Sequence, residues 1–169
     1  SLALCSDGTV AAWGYNYDGE LGTGTMIGMK VPTAVTTTDG VSALAGKTVV
    51  AVAAGDTHSL ALTADGQVAA WGSNYDGELG TGSFDDSLVP VEVSNTPGIS
   101  AITGKTVTSI AAGQWHSLAL CSDGTVSGWG YNSDGELGNN STTESSLPVA
   151  VDRSGVLSGK AVVAIAAGC

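Results

Sequence analysis

The chain has 169 residues, of which 43% are hydrophobic and 5% aromatic, and its formal net charge is −11. Five basic residues against 16 acidic ones leave little to attract phosphate, so the charge argues against binding to nucleic acid and to anionic membrane surfaces. No apolar run has the roughly 18 residues that a membrane-spanning segment needs, so the sequence predicts no membrane insertion.

A period of 58 residues organises the chain. The sequence Ser1–Leu4 returns as Ser59–Leu62 and again as Ser117–Leu120, at an interval of 58 residues each time. A self-similar interval of this length indicates a repeat architecture, in which each copy is one supersecondary unit. The third copy loses three residues between Gly138 and Gly159. The interval of 58 also separates three tryptophans, Trp13, Trp71 and Trp129.

The middle copy predicts four short strands and no helix. Ser59–Thr63 alternates small and large side chains, which is the period of a strand, and Asp65-Gly66 predicts the tight turn of a hairpin. A glycine-punctuated loop follows, and Leu79 is predicted to anchor it inward. Pro90 places a later strand at a sheet edge or at a strand start, because proline has no amide hydrogen to donate. In chain order, the predicted strands cover 59–63, 67–72, 89–93 and 106–113.

Four short strands in each repeat are typical of a β-propeller blade, whereas an immunoglobulin-type sandwich needs about seven strands in about 100 residues. We therefore predict an all-β fold, a β-propeller of about three four-stranded blades over the single repeat region 1–169. In sequence phase the blades cover approximately 1–58, 59–116 and 117–169. Three blades do not close a ring, because propellers typically need about four to eight, so we expect an arc of a larger ring.

The open ends of such an arc predict its partners. Unpaired strand edges and apolar blade faces invite association. We expect the remaining blades of a longer propeller to cover them, because the chain begins within the repeat motif and without an initiating methionine. The alternative is a homodimer that completes a six-bladed ring.

The repeated motifs resemble the regulator of chromosome condensation repeat family. In the third copy they read Gly113-x-x-His-Ser-Leu-Ala-Leu, then x-Asp-Gly-x-Val-x-x-Trp-Gly, then Asn132-x-x-Gly-x-Leu-Gly, and the likeness covers essentially the whole chain. The resemblance implies a β-propeller of four-stranded blades, usually seven, so the arc belongs to a six- or seven-bladed ring. The functions of the family range from Ran nucleotide exchange to ultraviolet sensing and scaffolding, so the fold transfers better than the function.

Two histidines raise the question of hydrolytic catalysis. His58 and His116 stand directly before Ser59 and Ser117. Neighbours on a strand point to opposite faces, and the strained Gly-x-Ser-x-Gly turn of a nucleophile is missing. We therefore interpret these histidines as structural residues that form hydrogen bonds within the blade, and we predict no catalytic residue. The three repeated tryptophans are predicted to be core residues between blades.

Acidic residues around a glycine form a candidate calcium site in each copy. Calcium binds several oxygen ligands, but an EF-hand loop has more carboxylates at set spacing. The resemblance offers a second interpretation, a family turn that commonly carries Gln where Glu20 stands. The candidate ligands are Asp18, Glu20, Asp76, Glu78, Asp134 and Glu136.

Trp115 is the candidate binding residue. It has no equivalent in the middle copy, where Thr57 stands. The plant ultraviolet-B photoreceptor of the family uses a Gly-Trp-Arg-His pattern, whereas this chain has Gly113-Gln-Trp-His once and without arginine. We therefore interpret Trp115 as an exposed contact residue rather than as part of a light sensor.

The predicted function is that of a non-enzymatic β-propeller scaffold or binding module. We expect it to recognise a protein partner or a surface ligand through the variable loops 23–45, 81–103 and 139–158, because loops on a rigid frame carry recognition. No cofactor is predicted. The alternative is guanine-nucleotide exchange or another intracellular regulatory role within the same family. Few lysines and many Thr, Ser and Gly residues favour an extracellular or cell-surface location.

Overall fold

The computed structural model describes residues 1–168, and all regular structure in that range is β-strand. No helix in that range is long and apolar enough to cross a membrane. The strands are β1 (Leu2–Leu4), β2 (Val10–Gly14), β3 (Met29–Ala34), β4 (Val49–Ala54), β5 (His58–Thr63), β6 (Val68–Gly72), β7 (Ser87–Glu92), β8 (Val107–Ala112), β9 (His116–Cys121), β10 (Val126–Gly130) and β11 (Ser145–Ala150).

The strands form three antiparallel sheets, which are the blades. Their orders are β1-β2-β3, β4-β5-β6-β7 and β8-β9-β10-β11. The first sheet has three strands among the described residues, because nothing there fills the position that β4 and β8 take in the other sheets. Hydrogen bonding therefore groups residues 49–92 and 107–150, and each group crosses a boundary of the sequence period, at 58/59 or at 116/117.

Local sequence signals explain the hairpin and the edge of the second blade. The turn between β5 and β6 uses Gly66 with φ of +81°, a conformation that glycine adopts without a steric penalty. Leu60 pairs with Ala70 and Ser59 with Trp71 across this hairpin. Pro90 lies in β7, the last strand of the sheet, where a missing amide hydrogen breaks no ladder. The predicted edge position is therefore confirmed.

The hydrophobic core is divided into two clusters, one at each contact between blades. Trp71 and Trp129 are completely buried, one in each cluster. The first cluster joins Val10, Ala12, Leu21, Val35 and Leu44 of the first blade to Val49, Ala61, Ala69 and Trp71 of the second. A blade thus buries its flat side only against a neighbour, as a stacked repeat requires.

The outer sides of the arc differ from the inner ones. Trp13 is only partly buried, so the expectation of a core position holds for Trp71 and Trp129 and fails here. The physical reason is that no described residues cover the outer side of the first sheet. At the other end, residues 161–168 follow the position that β4 and β8 occupy in their sheets but pair with no strand, and Val163 is 89% exposed.

Two glycines provide a matched test of the contact between blades. Gly77 and Gly135 have the same left-handed φ, +88° and +87°, so alanine costs about 1–2 kcal/mol of backbone strain at either position. A Cβ atom on Gly77 would lie 2.6 Å from the Cα of Ser146 on the next blade, whereas one on Gly135 meets nothing within 4 Å. We expect Gly77→Ala to lower the free energy of unfolding by about 1–3 kcal/mol more than Gly135→Ala, measured by urea denaturation. Equal losses would contradict the close packing of the blades.

Candidate functional site

A hydrogen-bonded junction joins the second blade to the third. The backbone carbonyl of Glu78 accepts hydrogen bonds from Trp129 Nε1 at 2.7 Å and from Ser117 Oγ at 2.9 Å. The Nε2 atom of His58 lies 3.0 Å from the same hydroxyl oxygen. The junction between the first two blades repeats this pattern, with the carbonyl of Glu20 accepting from Trp71 Nε1 and Ser59 Oγ, both at 2.8 Å.

The junction assigns structural roles to His58 and Ser117, two of the residues considered for hydrolytic catalysis. The Ser117 hydroxyl donates its proton to a carbonyl, so His58 must donate from Nε2, and its Nδ1 atom has no partner. Burial lowers the pKa of His58 to about 4, with a smaller contribution from His116, so the imidazole is neutral near pH 7. The hydrogen bond of His58 crosses from one blade to the next, and the expectation of a bond within the blade was wrong.

The Asn-x-Asp-Gly-Glu loop is closed by its own side chains. Asn74 Nδ2 donates to the carbonyls of Ser83 and Asp85, both at 3.0 Å, while its Oδ1 accepts from the backbone amide of Leu79 at 2.9 Å. Leu79 is fully buried, as predicted for the anchor of the loop. The other two copies contain the same arrangement around Asn16 and Asn132.

The candidate calcium ligands do not converge. Glu78 Oε2 accepts a hydrogen bond from the backbone amide of Asp76 at 2.9 Å, and Glu20 and Glu136 make the same bond in their copies. No group of three or more His, Cys, Asp or Glu side chains in residues 1–168 is placed to hold a metal ion. Of the two interpretations left open by the sequence, the geometry favours the structural turn over a site for calcium at Asp18, Asp134 or their equivalents.

Glu78 is an acid buried between two blades. It is 1% exposed, and burial raises its pKa to about 7, although backbone hydrogen bonds oppose the shift. The negative charges of Asp76 and Asp86 raise it further. Burial also raises the pKa of Glu20 at the first junction. Glu136, in the third copy, is only partly buried, because the described residues include no further blade on that side.

One face of the arc carries every exposed aromatic ring of residues 1–168. We define the loop face as the side formed by residues 15–28, 55–57, 73–86, 113–115 and 131–144, which connect the strands at one end of the sheets. Trp115 lies there, 38% exposed, with its ring 5.5 Å from that of Tyr131 in an edge-to-face arrangement. The other rings on the loop face are Tyr15, Tyr17, Tyr75 and Phe84, all at least half exposed.

The loop face is also strongly acidic. Its segments contain ten of the 16 acidic residues and none of the five basic ones. Burial raises the pKa of Asp76, and the negative charge of Glu144 from the neighbouring blade raises it further. The ten acids are Asp18, Glu20, Asp56, Asp76, Glu78, Asp85, Asp86, Asp134, Glu136 and Glu144.

The opposite face contains both salt bridges found in residues 1–168. It holds four of the five basic residues, Lys47, Lys105, Arg153 and Lys160. Lys47 Nζ lies 2.6 Å from the carboxylate of Asp65, and this hydrogen bond lowers the pKa of Asp65. Lys105 lies 3.6 Å from Asp123. The two faces of the arc therefore differ in electrostatic character.

Sequence reasoning found Trp115 and missed the other exposed rings. The repeat contained a signal for these rings. Tyr17 and Tyr75 occupy equivalent positions, where the third copy has Ser133. This exchange indicates that the fold does not require an aromatic side chain at this position. The variable loops 23–45, 81–103 and 139–158 also do not form one surface. Strands β3, β7 and β11 run through them and place one half of each loop on either face.

The fold and the repeated motif define a β-propeller repeat protein. The profile described as the regulator of chromosome condensation (RCC1) repeat matches residues 7–62, 65–120 and 123–169, and a second profile of the same repeat matches 49–78 and 107–136. The chain therefore belongs to the RCC1 repeat family, which confirms the resemblance seen in the sequence.

Similar proteins share the repeat but are longer. The ultraviolet-B receptor UVR8 of Arabidopsis thaliana is 36% identical over 146 residues, which is 86% of this chain and 30% of the receptor. The human probable E3 ubiquitin-protein ligase HERC6 is 37% identical over 173 residues, 99% of this chain and 16% of the ligase. The solved structure of Prp20p from Saccharomyces cerevisiae superposes with a TM-score of 0.79 at 22% identity, covering 99% of this chain and 39% of that one. It confirms the propeller arc.

The buried acid predicts a pH-dependent effect on stability. The folded pKa of Glu78, about 7, lies above the ordinary value of 4.5, so its contribution is complete below pH 4.5 and is lost as the pH rises through 7. We expect Glu78→Gln, which keeps the acceptor oxygen, to raise the free energy of unfolding at pH 8 by about 2 kcal/mol. The gain should shrink as the pH falls towards 4.5.

Urea denaturation of the wild type and Glu78→Gln across this pH range measures the difference. His58 contributes the opposite slope, losing stability as the pH falls from 6.5 to about 4, but it is common to both proteins and cancels. Glu136→Gln is the control, with little expected effect because its side chain is partly exposed. A gain that is the same at pH 4.5 and pH 8 would refute the assignment of a buried, ionising carboxylate.

Proposed function

We propose that this chain is a non-enzymatic module that recognises a protein partner through its loop face. The observation that carries the proposal is that potentially reactive side chains are buried while aromatic side chains are exposed. The histidine and serine side chains with catalytic potential, His58 and Ser117, are buried in a junction, whereas exposed aromatic rings collect on one face. Aromatic side chains are enriched at the centres of protein interfaces because they bury a large area with few rotatable bonds.

Similar proteins support the proposal in their own contexts. Prp20p is described together with its binding to Gsp1p and histones, and yeast RCC1 (Prp20) has been solved with Kap60 bound. The matched stretch is only 16% of HERC6 and 30% of UVR8, proteins that are named for different activities. The repeat is therefore the common part, and a binding module is the role that suits all of these proteins.

The test uses two charge-neutral triple variants. The loop-face variant is Tyr17→Ser, Tyr75→Ser and Trp115→Thr, whose new residues already occupy the equivalent positions as Ser133 and Thr57. The repeat itself thus shows that the fold accepts them. The opposite-face variant is Val41→Ser, Ile99→Ser and Val156→Ser, which also removes exposed apolar side chains.

Each protein is immobilised, exposed to extract of the source cells, and the retained proteins are identified and then purified for calorimetry. We expect a partner that binds the wild type and the opposite-face variant, and whose affinity for the loop-face variant is at least tenfold weaker, because each lost ring costs about 1 kcal/mol or more. Melting temperatures of the three proteins control for folding. A partner that distinguishes none of them would contradict recognition through the loop face.

We also propose that further blades of the same kind cover the two ends of the arc. Residues 161–168 follow the course of an inner strand without a sheet, and β1 forms an edge that lacks this strand among the described residues. The other two sheets show how such an edge is covered, because β4 pairs with β5 and β8 pairs with β9 at the equivalent positions. Either further repeats of one polypeptide or a second copy of this chain would satisfy both edges.

The solution mass of the 169-residue chain tests whether the two ends of the arc need to be covered. Unpaired edges and apolar sides favour association, so we expect a mass of at least twice the 16.6 kDa of the chain by light scattering. Ile165→Pro would keep the segment 161–168 from pairing as a strand with a partner and should reduce that mass, whereas Ser154→Pro in the preceding exposed segment should not. A folded monomer would contradict the need for covered ends.

A further inference from the structure

We propose that the loop face binds an arginine-rich, positively charged peptide segment of a partner protein. This inference rests on the proposed function and specifies the chemistry of the partner. It follows from two independent observations, the arrangement of exposed aromatic rings and the absence of basic side chains around them.

Each blade contributes a pair of aromatic side chains to the loop face. In the first blade, Tyr15 and Tyr17 are both 69% exposed and stack with their ring centres 6.3 Å apart. In the second blade, Tyr75 and Phe84 are 83% and 51% exposed. The third blade contributes Trp115 with the adjoining Tyr131. Exposed aromatic rings collected on one face of a protein indicate an interaction site.

None of these rings is required by the fold. Trp71 and Trp129 fill the space between blades, but the loop-face rings are replaced by small polar residues elsewhere in the repeat. Ser133 stands where the other copies have Tyr17 and Tyr75, and Thr57 stands where the third copy has Trp115. The internal repeat therefore separates residues that maintain the blade from residues that are free to serve recognition.

The negative charge of the loop face favours a positively charged partner. Eight of its ten carboxylates are exposed or partly exposed, and none forms a salt bridge with a basic residue in the range 1–168. Both salt bridges in that range lie on the opposite face, at Lys47 and Lys105. An anionic or neutral apolar partner would leave the loop-face carboxylates close to one another without compensation, whereas a cationic partner supplies the missing charge.

Arginine matches both parts of this surface at once. Its planar guanidinium stacks on aromatic rings and donates paired hydrogen bonds to carboxylates, whereas lysine offers a compact point charge. A cation over an aromatic ring is favourable for either side chain, and arginine is the more frequent partner. Rings and carboxylates are neighbours in the loop-face sequence, as at Tyr17-Asp18, Tyr75-Asp76 and Phe84-Asp85, and this combination favours arginine over lysine.

The experiment titrates the intact chain into a fluorescein-labelled 12-residue peptide of alternating arginine and glycine, followed by anisotropy. Matched peptides carry lysine or glutamate in place of arginine. We expect the arginine peptide to bind several-fold more tightly than the lysine peptide, and the glutamate peptide not to bind. The loop-face variant should bind the arginine peptide about tenfold more weakly, although its net charge is unchanged.

The opposite-face variant is the control, and its affinity should stay within twofold of the wild type. A second variant, Asp85→Asn, Asp86→Asn and Glu144→Gln, should also weaken binding and reduce its dependence on salt. If the loop-face and opposite-face variants bind the peptide equally well, the attraction is the general effect of a charge of −11, and the inference fails. If a protein partner is lost with the loop-face variant but the arginine peptide does not bind, the proposed function stands and the arginine specificity is overturned.

Discussion

The rest of the structure depends on one backbone carbonyl at each junction between blades. At the second junction the carbonyl of Glu78 accepts from the indole of Trp129 and the hydroxyl of Ser117, and His58 donates to that hydroxyl. Three side chains and one backbone carbonyl from two blades are thereby fixed relative to each other beside the buried hydrophobic cluster that includes Trp129. Buried polar groups are costly unless they are satisfied, so a network of this kind allows only one arrangement of the two sheets.

This constraint separates the residues that hold the propeller from those that remain available for binding. Histidine, serine and tryptophan in the repeat motif are committed to the junctions, and the asparagine of the loop is committed to closing it. The loop face presents aromatic rings and carboxylates, whereas the opposite face carries four of the five basic residues and two salt bridges. Such a surface is consistent with the proposed recognition of a protein partner.

Much of the local structure was predictable because short-range signals agreed with the final fold. Asp65-Gly66 specified a hairpin, Pro90 specified an edge strand, and Leu79 was recognised as an inward anchor. Predictions failed where the answer depended on a neighbouring blade. Trp13 carries the same motif as Trp71 but is only partly buried, and His58 was assigned a bond within its own blade although its partner lies on the next.

The sequence by itself determined the repeat, the family, the strands and their turns, because periodicity and backbone preferences are local properties. Only the tertiary structure decided which strands share a sheet. Strand β4 precedes the boundary of the sequence period at 58/59 but pairs with β5 of the second sheet. It also decided that the exposed rings lie on one face, together with ten of the 16 acidic residues. Residues as distant in sequence as Tyr17 and Trp115 lie on the same face only because the three sheets pack side by side.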